Sequence, residues 1–338
     1  MIQVKSSGNI ILVMAGIIII LGALKAAAVI VVPILLASFI AIVISPIYAW
    51  LIQKRIPASL SLLAVISGLI LIFTLVGVLI GSSLQSFSSN LPLYEEQLQI
   101  QFEVSMAKLS SIGIETGDLG SFFNPSILMK YSASVLKGAG SILTNSFMIL
   151  LVTAFMLLES THFAKKLELS KGHGNTMSQI DEVFSKIKRY MAIKAVVSLV
   201  TGVIITALLL MMGLDYAILW GFVVFLLNFI PNIGSILAAV PAVLLALVQL
   251  GAFGALEIAA VYLVINIVIG SIIEPRLMGQ GLGISTLVVF LSLLFWGWLL
   301  GPVGMLLSIP LTITIKIMLY TQEQTRWLAV LMSSPSVD

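Results

Sequence analysis

Three polar side chains interrupt a long apolar stretch in the second half of the chain, and their chemistry suits hydrogen bonding to a neutral polar molecule. Asn228, Asn232 and Ser235 surround Pro231 and Gly234. An Asn amide that faces lipid leaves donors and acceptors unpaired, which costs on the order of a few kcal/mol. Irregular backbone is tolerated at membrane depth only inside protein or beside water. The pattern therefore predicts a solute-binding site or side-chain caps on a broken helix, and the two roles are compatible.

Three further polar residues, Asn266, Glu274 and Arg276, lie in or directly after a later apolar run. Asn266 stands alone in that run, so a helix–helix hydrogen bond is its main expected role, with solute contact as the alternative. Glu274 and Arg276 flank a proline, and ionisable groups beside an apolar span are candidates for a gate or for ion coupling. An interfacial ion pair between the two is the alternative.

Several kinds of chemistry are excluded or unsupported by the sequence. The chain contains no cysteine, which excludes disulfides, thiolate catalysis and Cys-ligated metals. It contains neither a Gly-x-x-x-x-Gly-Lys-Ser/Thr motif nor a His-Glu-x-x-His motif, so direct ATP coupling and that kind of zinc site are not expected. We predict no catalytic residue, no cofactor and no metal site. The net charge of +3 is spread along the chain, which indicates membrane orientation and no nucleic-acid partner.

The elements that must position these residues are membrane helices. Of the 338 residues, 60% are hydrophobic and 9% are charged, whereas a soluble domain carries about 25% charged residues. The excess apolar surface must face lipid. A β-barrel requires alternating apolar and polar residues, and runs such as 10–21 show no alternation. The predicted fold class is therefore an all-α polytopic membrane protein.

Eight apolar runs serve as membrane segments, because a helix needs about 20 apolar residues to cross the bilayer core. They are 9–24, 26–47, 60–83, 141–158, 196–212, 217–248, 256–273 and 285–316. We divide the chain into 1–83 with transmembrane helices one to three, 84–140 as a periplasmic extramembrane helical insertion, 141–160 as transmembrane helix four, 161–195 as a basic cytoplasmic or interfacial helix, 196–318 as the transport core, and 319–338 as a cytoplasmic tail.

The two polar regions also have helical patterns. Within 84–140, apolar residues recur at steps of three or four, which is typical of one face of an amphipathic helix; they are Leu91, Tyr94, Leu98, Phe102, Met106 and Leu109. Asn124 and Pro125 predict the start of another helix that runs to about Leu136. The region 161–194 carries seven basic residues beside an apolar stripe, which favours a helix in the membrane interface that contacts anionic lipid; the basic residues are Lys165, Lys166, Lys171, Lys186, Lys188, Arg189 and Lys194.

Two of the apolar runs are too long for one straight span. Runs 217–248 and 285–316 contain 32 residues each, or about 48 Å of helix, against a hydrocarbon core of about 30 Å. Pro231 and Gly234 predict a hinge in the first run, and Pro302 and Gly304 predict one in the second. Each broken run follows an ordinary span, which makes a weak internal repeat. Paired interrupted segments are typical of transporter binding sites, and we expect the solute site between them.

Orientation follows from the basic residues. Most Lys and Arg lie on one side when the N-terminus and 161–194 are placed in the cytoplasm and 84–140 outside, as the positive-inside rule requires. Treating the two broken runs as re-entrant hairpins moves Arg276 to the cytoplasmic side as well and makes the repeats inverted. Tilted broken spans are the alternative. Both termini are then cytoplasmic.

Three motifs identify a family resemblance that covers nearly the whole chain. They are Asn-Phe-Ile-Pro-Asn-Ile-Gly at 228–234, Glu-Pro-Arg-Leu-Met-Gly at 274–279, and the long run from Leu282 through Gly-Pro-Val-Gly to Met305. They resemble the autoinducer-2 exporter family of bacterial inner-membrane proteins, and in particular its branch described as transporting the quorum-sensing signal autoinducer-2.

The resemblance implies an exporter of a small polyhydroxylated furanone-type signal that works as a homo-oligomer, with a pentamer expected from the family. Some relatives are described as Na⁺/H⁺ antiporters, which is one alternative; a passive oligomeric channel and a non-transporting membrane scaffold are the others. Asn and Ser donors suit a neutral polyol. A cation antiporter would require a buried carboxylate within a span, and Asp215, Glu257 and Glu274 stand at span ends. We therefore expect a small polar organic solute.

Overall fold

The computed structural model describes residues 4–111, 125–169, 175–231, 233–278, 283–321 and 323–333, and within these ranges every regular element is helical. The helices are α1 Val4–Ala26, α2 Ala28–Gln53, α3 Ala58–Ser111, α4 Pro125–Thr144, α5 Ser146–Leu169, α6 Asn175–Met211, α7 Ala217–Leu227, α8 Gly234–Ile265, a π-helical segment Asn266–Ile273, α9 Glu274–Met278, α10 Thr286–Leu306, α11 Ser308–Thr321 and α12 Arg326–Leu331.

Five of the described helical stretches are long and apolar enough to cross a membrane: Ala28–Gln53, Ala58–Val104, Ile187–Met211, Gly234–Met278 and Thr286–Leu306. Four shorter apolar helices accompany them: Met14–Ala26, Ser146–Glu159, Ala217–Leu227 and Ser308–Tyr320. Large apolar side chains such as Ile19, Leu71 and Val203 are well exposed on these helices, as lipid-facing residues must be. The predicted all-α polytopic membrane architecture is confirmed.

Two helices are longer than the sequence patterns predicted. The span at 60–83 and the amphipathic pattern after it belong to the single 54-residue helix α3. The predicted basic interfacial helix and the span at 196–212 likewise form the single 37-residue helix α6. No proline lies in α6, so no residue ends the helix at the junction that the sequence analysis placed at 195. Most side chains between 160 and 186 lie outside the described part of the chain.

The helices that flank the insertion also differ in length from their predictions. Helix α4 begins at Pro125, the predicted first-turn proline, but continues to Thr144 instead of ending near Leu136. Helix α5 begins at Ser146 and passes through Glu159 to Leu169. The apolar stripe on α3 is confirmed where its side chains are described, since Tyr94 and Leu98 are buried.

The first broken run forms a helical hairpin. Helix α7 ends at Leu227, a turn follows, and α8 begins at Gly234 and is kinked at Gly251. The two ends of the hairpin meet, because Gln249 donates a 2.5 Å hydrogen bond to Asp215 Oδ2 and accepts a 3.1 Å bond from the Asp215 amide. The arms therefore run antiparallel, which is the shape that a re-entrant segment requires.

The second broken run has the same design. Gly301 interrupts α10 with φ 71° and ψ −156°, a conformation that L-residues rarely adopt. Across the break, Trp296 Nε1 donates a 3.0 Å hydrogen bond to Thr312 Oγ1. At the far end, Lys316 Nζ donates a 2.5 Å bond to the Gly283 carbonyl. The ends of both hairpins are thus joined by hydrogen bonds between residues 33 or 34 positions apart.

The predicted hinge glycines have a specific packing role in each hairpin. A Cβ added at Gly234 would collide with the carbonyl oxygen of Leu227, and one added at Gly304 would collide with the carbonyl oxygen of Trp296. Each glycine follows the hinge proline and lets the second arm approach the end of the first. Pro231 lies in the turn itself, and Pro302 follows Gly301 directly.

The chain divides into two compact units. One contains Met1–Leu62, Phe147–Lys188 and Leu282–Asp338, and therefore holds the second hairpin. The other contains Leu63–Ser146 and Arg189–Gly281 and holds the first hairpin. The core of this second unit surrounds the fully buried Trp220, which meets Phe87 edge-on at 5.3 Å.

Candidate polar transport site

A small cavity in the unit that holds the first hairpin brings together predicted site residues from three parts of the sequence. It lies among α6, the turn between α7 and α8, and the helix that continues α8 beyond Gly251. Its lining residues are Thr201, Ile205, Val224, Asn228, Ser235, Tyr262, Ile265, Asn266, Ile269 and Gly270. Three of the four predicted solute-binding residues are therefore neighbours in space. The fourth, Asn232, lies outside the described residues.

Asn228 links the hairpin turn to α6. It follows α7 directly, and its side chain is buried. Its Nδ2 donates a 3.1 Å hydrogen bond to Ser198 Oγ, thirty residues earlier in the chain. The Asn228 side chain therefore reaches across to another helix, which differs from the cap role considered from sequence alone.

Ser235 links the other side of the turn to Asn266. Ser235 lies in the first turn of α8, and its hydroxyl donates a 2.8 Å hydrogen bond to Asn266 Oδ1. Asn266 begins the π-helical segment that runs to Ile273, and such π segments often occur at functional sites because they shift the register of side chains. The helix–helix hydrogen bond expected for Asn266 is present, and the residue also lines the cavity.

Glu274 forms an ion pair with a residue that the sequence analysis assigned elsewhere. Its Oε1 lies 2.5 Å from Lys194 Nζ, and the two side chains are 14% and 4% exposed. Arg276, the partner considered from sequence, is exposed. The prediction that Lys194 contacts lipid headgroups is therefore wrong, because its side chain is buried against a carboxylate. A lysine within the apolar run 191–197 is the signal that pointed to this pair.

This ion pair lies about one helical turn from the cavity-lining Gly270 and about two turns from the cavity-lining Thr201. Lys194 precedes Ser198 by four residues, and Glu274 follows Gly270 by four, which places each pair on one helix face. Polar groups thus continue from the ion pair to the Ser198–Asn228 bond and on to Ser235 and Asn266.

The burial of Glu274 also corrects an argument about the solute. A neutral solute was expected because the sequence has this carboxylate at a span end and no carboxylate within the spans. Glu274 does lie near the end of the apolar stretch Gly234–Met278, four residues before Met278, but its side chain is only 14% exposed. The described part of the chain therefore does contain a mostly buried carboxylate, so this argument against a cation no longer holds.

Two polar lining residues were missed from sequence, Thr201 and Tyr262. The Thr201 hydroxyl donates a 2.7 Å bond to the Val197 carbonyl within α6. The Tyr262 hydroxyl is buried and has no hydrogen-bond partner among the residues that the structure describes. Tyr262 precedes Asn266 by one helical turn, and this spacing was the available signal.

The cavity is small in this conformation. The volume open to the centre of a water-sized sphere is about 10 Å³, which is close to the space needed by a single water molecule. A larger solute does not fit unless the surrounding residues move apart. Within the described residues no group of three His, Asp or Glu side chains is placed to bind a metal ion.

Known proteins resemble this chain over almost its whole length. A family model described as "AI-2E family transporter" matches residues 10–323. The chain is 37% identical to the "AI-2 transport protein TqsA" of Escherichia coli K12, over 96% of this chain and 95% of that protein. It is 42% identical to a "Putative transport protein" of Haemophilus influenzae, over 94% of each chain, and 35% identical to the "Putative transport protein YhhT" of Escherichia coli K12, over 97% and 95%.

Proposed function

The chain belongs to the AI-2E transporter family, and from this premise we propose that it exports autoinducer-2, a small polar organic signal, by secondary or facilitated transport. The observation that carries the proposal is the cluster of neutral hydrogen-bonding side chains in one cavity, Asn228, Ser235 and Asn266. Amide and hydroxyl groups match the hydroxyl groups of a neutral polyol, which needs no counter-charge. A relative that shares 37% of its residues is named as an AI-2 transport protein, which supports the same solute.

The proposal includes a setting for the transporter. We place it in the bacterial inner membrane with both termini in the cytoplasm, from the distribution of basic residues. We propose that it works as a homo-oligomer, with a pentamer expected from the family resemblance. In this orientation the Glu274–Lys194 pair and the exposed Arg276 lie at the cytoplasmic end of the site, where the pair acts as a gate.

A second candidate function, cation/proton exchange, is favoured by one specific observation. The Glu274 carboxylate is mostly buried, lies about one turn from the cavity-lining Gly270 and pairs with a buried lysine. Such a pair is a candidate for binding and releasing an ion inside a membrane. The two candidates differ in what drives flux, because an exchanger responds to ion gradients when no organic solute is present.

Transport assays in proteoliposomes separate these possibilities. Wild-type protein is expected to move autoinducer-2 with saturable kinetics, measured with and without Na⁺ and pH gradients. Asn266→Ala removes the acceptor of the Ser235 bond and a partner for the solute. We expect half-saturation to rise by roughly 5-fold to more than 100-fold, as a loss of about 1–3 kcal/mol implies. Asn228→Ala is expected to act in the same direction.

The matched control is Leu263→Ala, since Leu263 is three residues from Asn266 and is 60% exposed. It is expected to leave half-saturation unchanged at equal protein levels. A wild-type protein that carries no saturable autoinducer-2 flux but exchanges Na⁺ for protons would replace the first function by the second. Wild-type half-saturation in both Asn variants would show that the solute binds elsewhere.

A further inference from the structure

The hydroxyl group of Tyr262 differs from the other polar groups that line the cavity. The Tyr262 side chain is 5% exposed, and its hydroxyl has no hydrogen-bond partner in the part of the chain that the structure describes. The Asn228 and Ser235 side chains donate hydrogen bonds to Ser198 and Asn266. Tyr262 therefore contributes an unused donor and acceptor to a site whose other groups are already paired.

Burying an unpaired hydroxyl group is unfavourable, and a different residue at the same position would avoid this cost. Buried tyrosine hydroxyls usually have a partner, and phenylalanine would fill the same space without the polar atom. At a lipid-embedded position the lost hydrogen bond cannot be recovered from bulk water. The hydroxyl is therefore available to a partner outside the described residues, and the cavity that Tyr262 lines gives such a partner a place.

The position of Tyr262 on its helix supports this reading. Tyr262, Asn266 and Gly270 all line the cavity and are spaced four residues apart, so they present one face of the helix to it. Asn266 and Gly270 belong to the π-helical segment, and Tyr262 lies just before it. The missing side chain at Gly270 leaves space beside the Asn266 amide, because a Cβ there would lie 3.0 Å from Asn266 Oδ1.

We propose that the Tyr262 hydroxyl forms a direct hydrogen bond with a hydroxyl group of the transported solute and makes the site selective for hydroxylated solutes. This inference rests on the proposed function. Before the solute enters, the cavity has room for about one water molecule, and the tyrosine hydroxyl has no partner among the described residues. The solute hydroxyl becomes its partner when the helices separate. A site that hydrogen-bonds a solute hydroxyl disfavours analogues without it, because its own polar group is then left unpaired.

The variant Tyr262→Phe tests the proposal because it removes one oxygen atom and keeps the ring. Saturable autoinducer-2 transport in proteoliposomes is compared with wild type at equal protein levels, together with the melting temperature of the purified protein. We expect half-saturation to rise by roughly 5-fold to 100-fold, with a maximal rate within about twofold and an unchanged or higher melting temperature. Competition by a furanone that lacks the hydroxyl groups should weaken much less than competition by autoinducer-2.

Tyr131→Phe is the matched control. Tyr131 lies on α4 and is not among the residues that line the cavity, and its buried hydroxyl is also without a partner among the described residues. This variant is expected to change neither half-saturation nor the preference between the two competitors. An equal effect in Tyr131→Phe and Tyr262→Phe would overturn the specific role of Tyr262.

The remaining outcomes separate the inference from the function on which it rests. If wild-type protein transports autoinducer-2 and Tyr262→Phe has the same half-saturation, the inference is wrong and the proposed function stands. If Tyr262→Phe lowers the melting temperature by several degrees and reduces only the maximal rate, the hydroxyl has a structural role and the inference is wrong. If wild-type protein carries no autoinducer-2, the proposed function fails and the inference fails with it.

Discussion

Replacing Lys194 by methionine would leave the Glu274 carboxylate mostly buried without its ammonium partner. The Lys194 and Glu274 side chains are 4% and 14% exposed, so neither charge is well solvated once the other is removed. Removing one member of a buried ion pair costs about 3–5 kcal/mol, whereas an exposed pair contributes about 1 kcal/mol or less. Because both side chains are mostly buried, we expect the larger of these two costs for this pair.

The two single variants should differ, because the charge left behind differs in exposure. Lys194→Met leaves the more exposed carboxylate, so we expect a loss near the lower limit, about 3 kcal/mol. Glu274→Gln leaves the more buried ammonium, and we expect about 5 kcal/mol. At roughly 2 °C per kcal/mol for a chain of this size, the melting temperature should fall by about 6 °C and about 10 °C. The double variant Lys194→Met/Glu274→Gln should recover most of the loss, since no unpaired buried charge remains.

Thermal unfolding of the detergent-purified protein, followed by tryptophan fluorescence, measures all three variants. The control is Arg276→Met, which removes an exposed charge two residues from Glu274 and should shift the melting temperature by about 2 °C or less. If Arg276→Met destabilises as much as Lys194→Met, the carboxylate interacts with the arginine. If the double variant loses the sum of the two single losses, the two side chains do not interact and the reasoning from burial fails.

The remaining predictions concern the hinges and the orientation. The hinge variants Gly234→Ala and Gly304→Ala should each lower the free energy of unfolding by about 1–3 kcal/mol, because the added Cβ collides with a backbone carbonyl. The control is Gly68→Ala, whose added Cβ meets nothing within 4 Å. It should be neutral or slightly stabilising in the same thermal unfolding assay. Single introduced cysteines can be labelled without background because the chain has no native cysteine. In cells whose outer membrane admits the reagent, a maleimide that does not cross the inner membrane should label Ser110→Cys but not Ser185→Cys. The reverse labelling pattern would show that the topology is inverted.

The broken hairpins were predictable because their signals are local. A run of 32 apolar residues exceeds the membrane thickness, and the residues that interrupt it, such as Pro231 and Gly234, are visible in the sequence. The structure adds why the glycine is needed, namely the close approach to the Leu227 carbonyl. That contact depends on how the arms turn, which residue types alone do not specify.

The errors arose where one residue has two possible partners or where no residue marks a boundary. Lys194 was grouped with neighbouring basic residues, because its true partner, Glu274, lies 80 positions away. Helix α6 was divided in two because its amphipathic and apolar parts have different patterns, yet no helix-breaking residue separates them. Tyr262 was overlooked because a tyrosine in an apolar span is usually a packing residue. Its place in the cavity lining and the lack of a hydrogen-bond partner among the described residues distinguish it.

The pairing inside the small cavity bears on how tightly a solute can bind. A solute that replaces the Asn228–Ser198 and Ser235–Asn266 bonds exchanges one set of hydrogen bonds for another, so each of these contacts adds less net affinity than a bond to a group that was unpaired. Tyr262 gains a bond without losing one to another described residue. A transporter must release its solute on the far side of the membrane, and modest net affinity serves that need. Under the proposed function, the paired amides and the Tyr262 hydroxyl together select the solute, and separation of the hairpin from α6 and from Asn266 lets it enter.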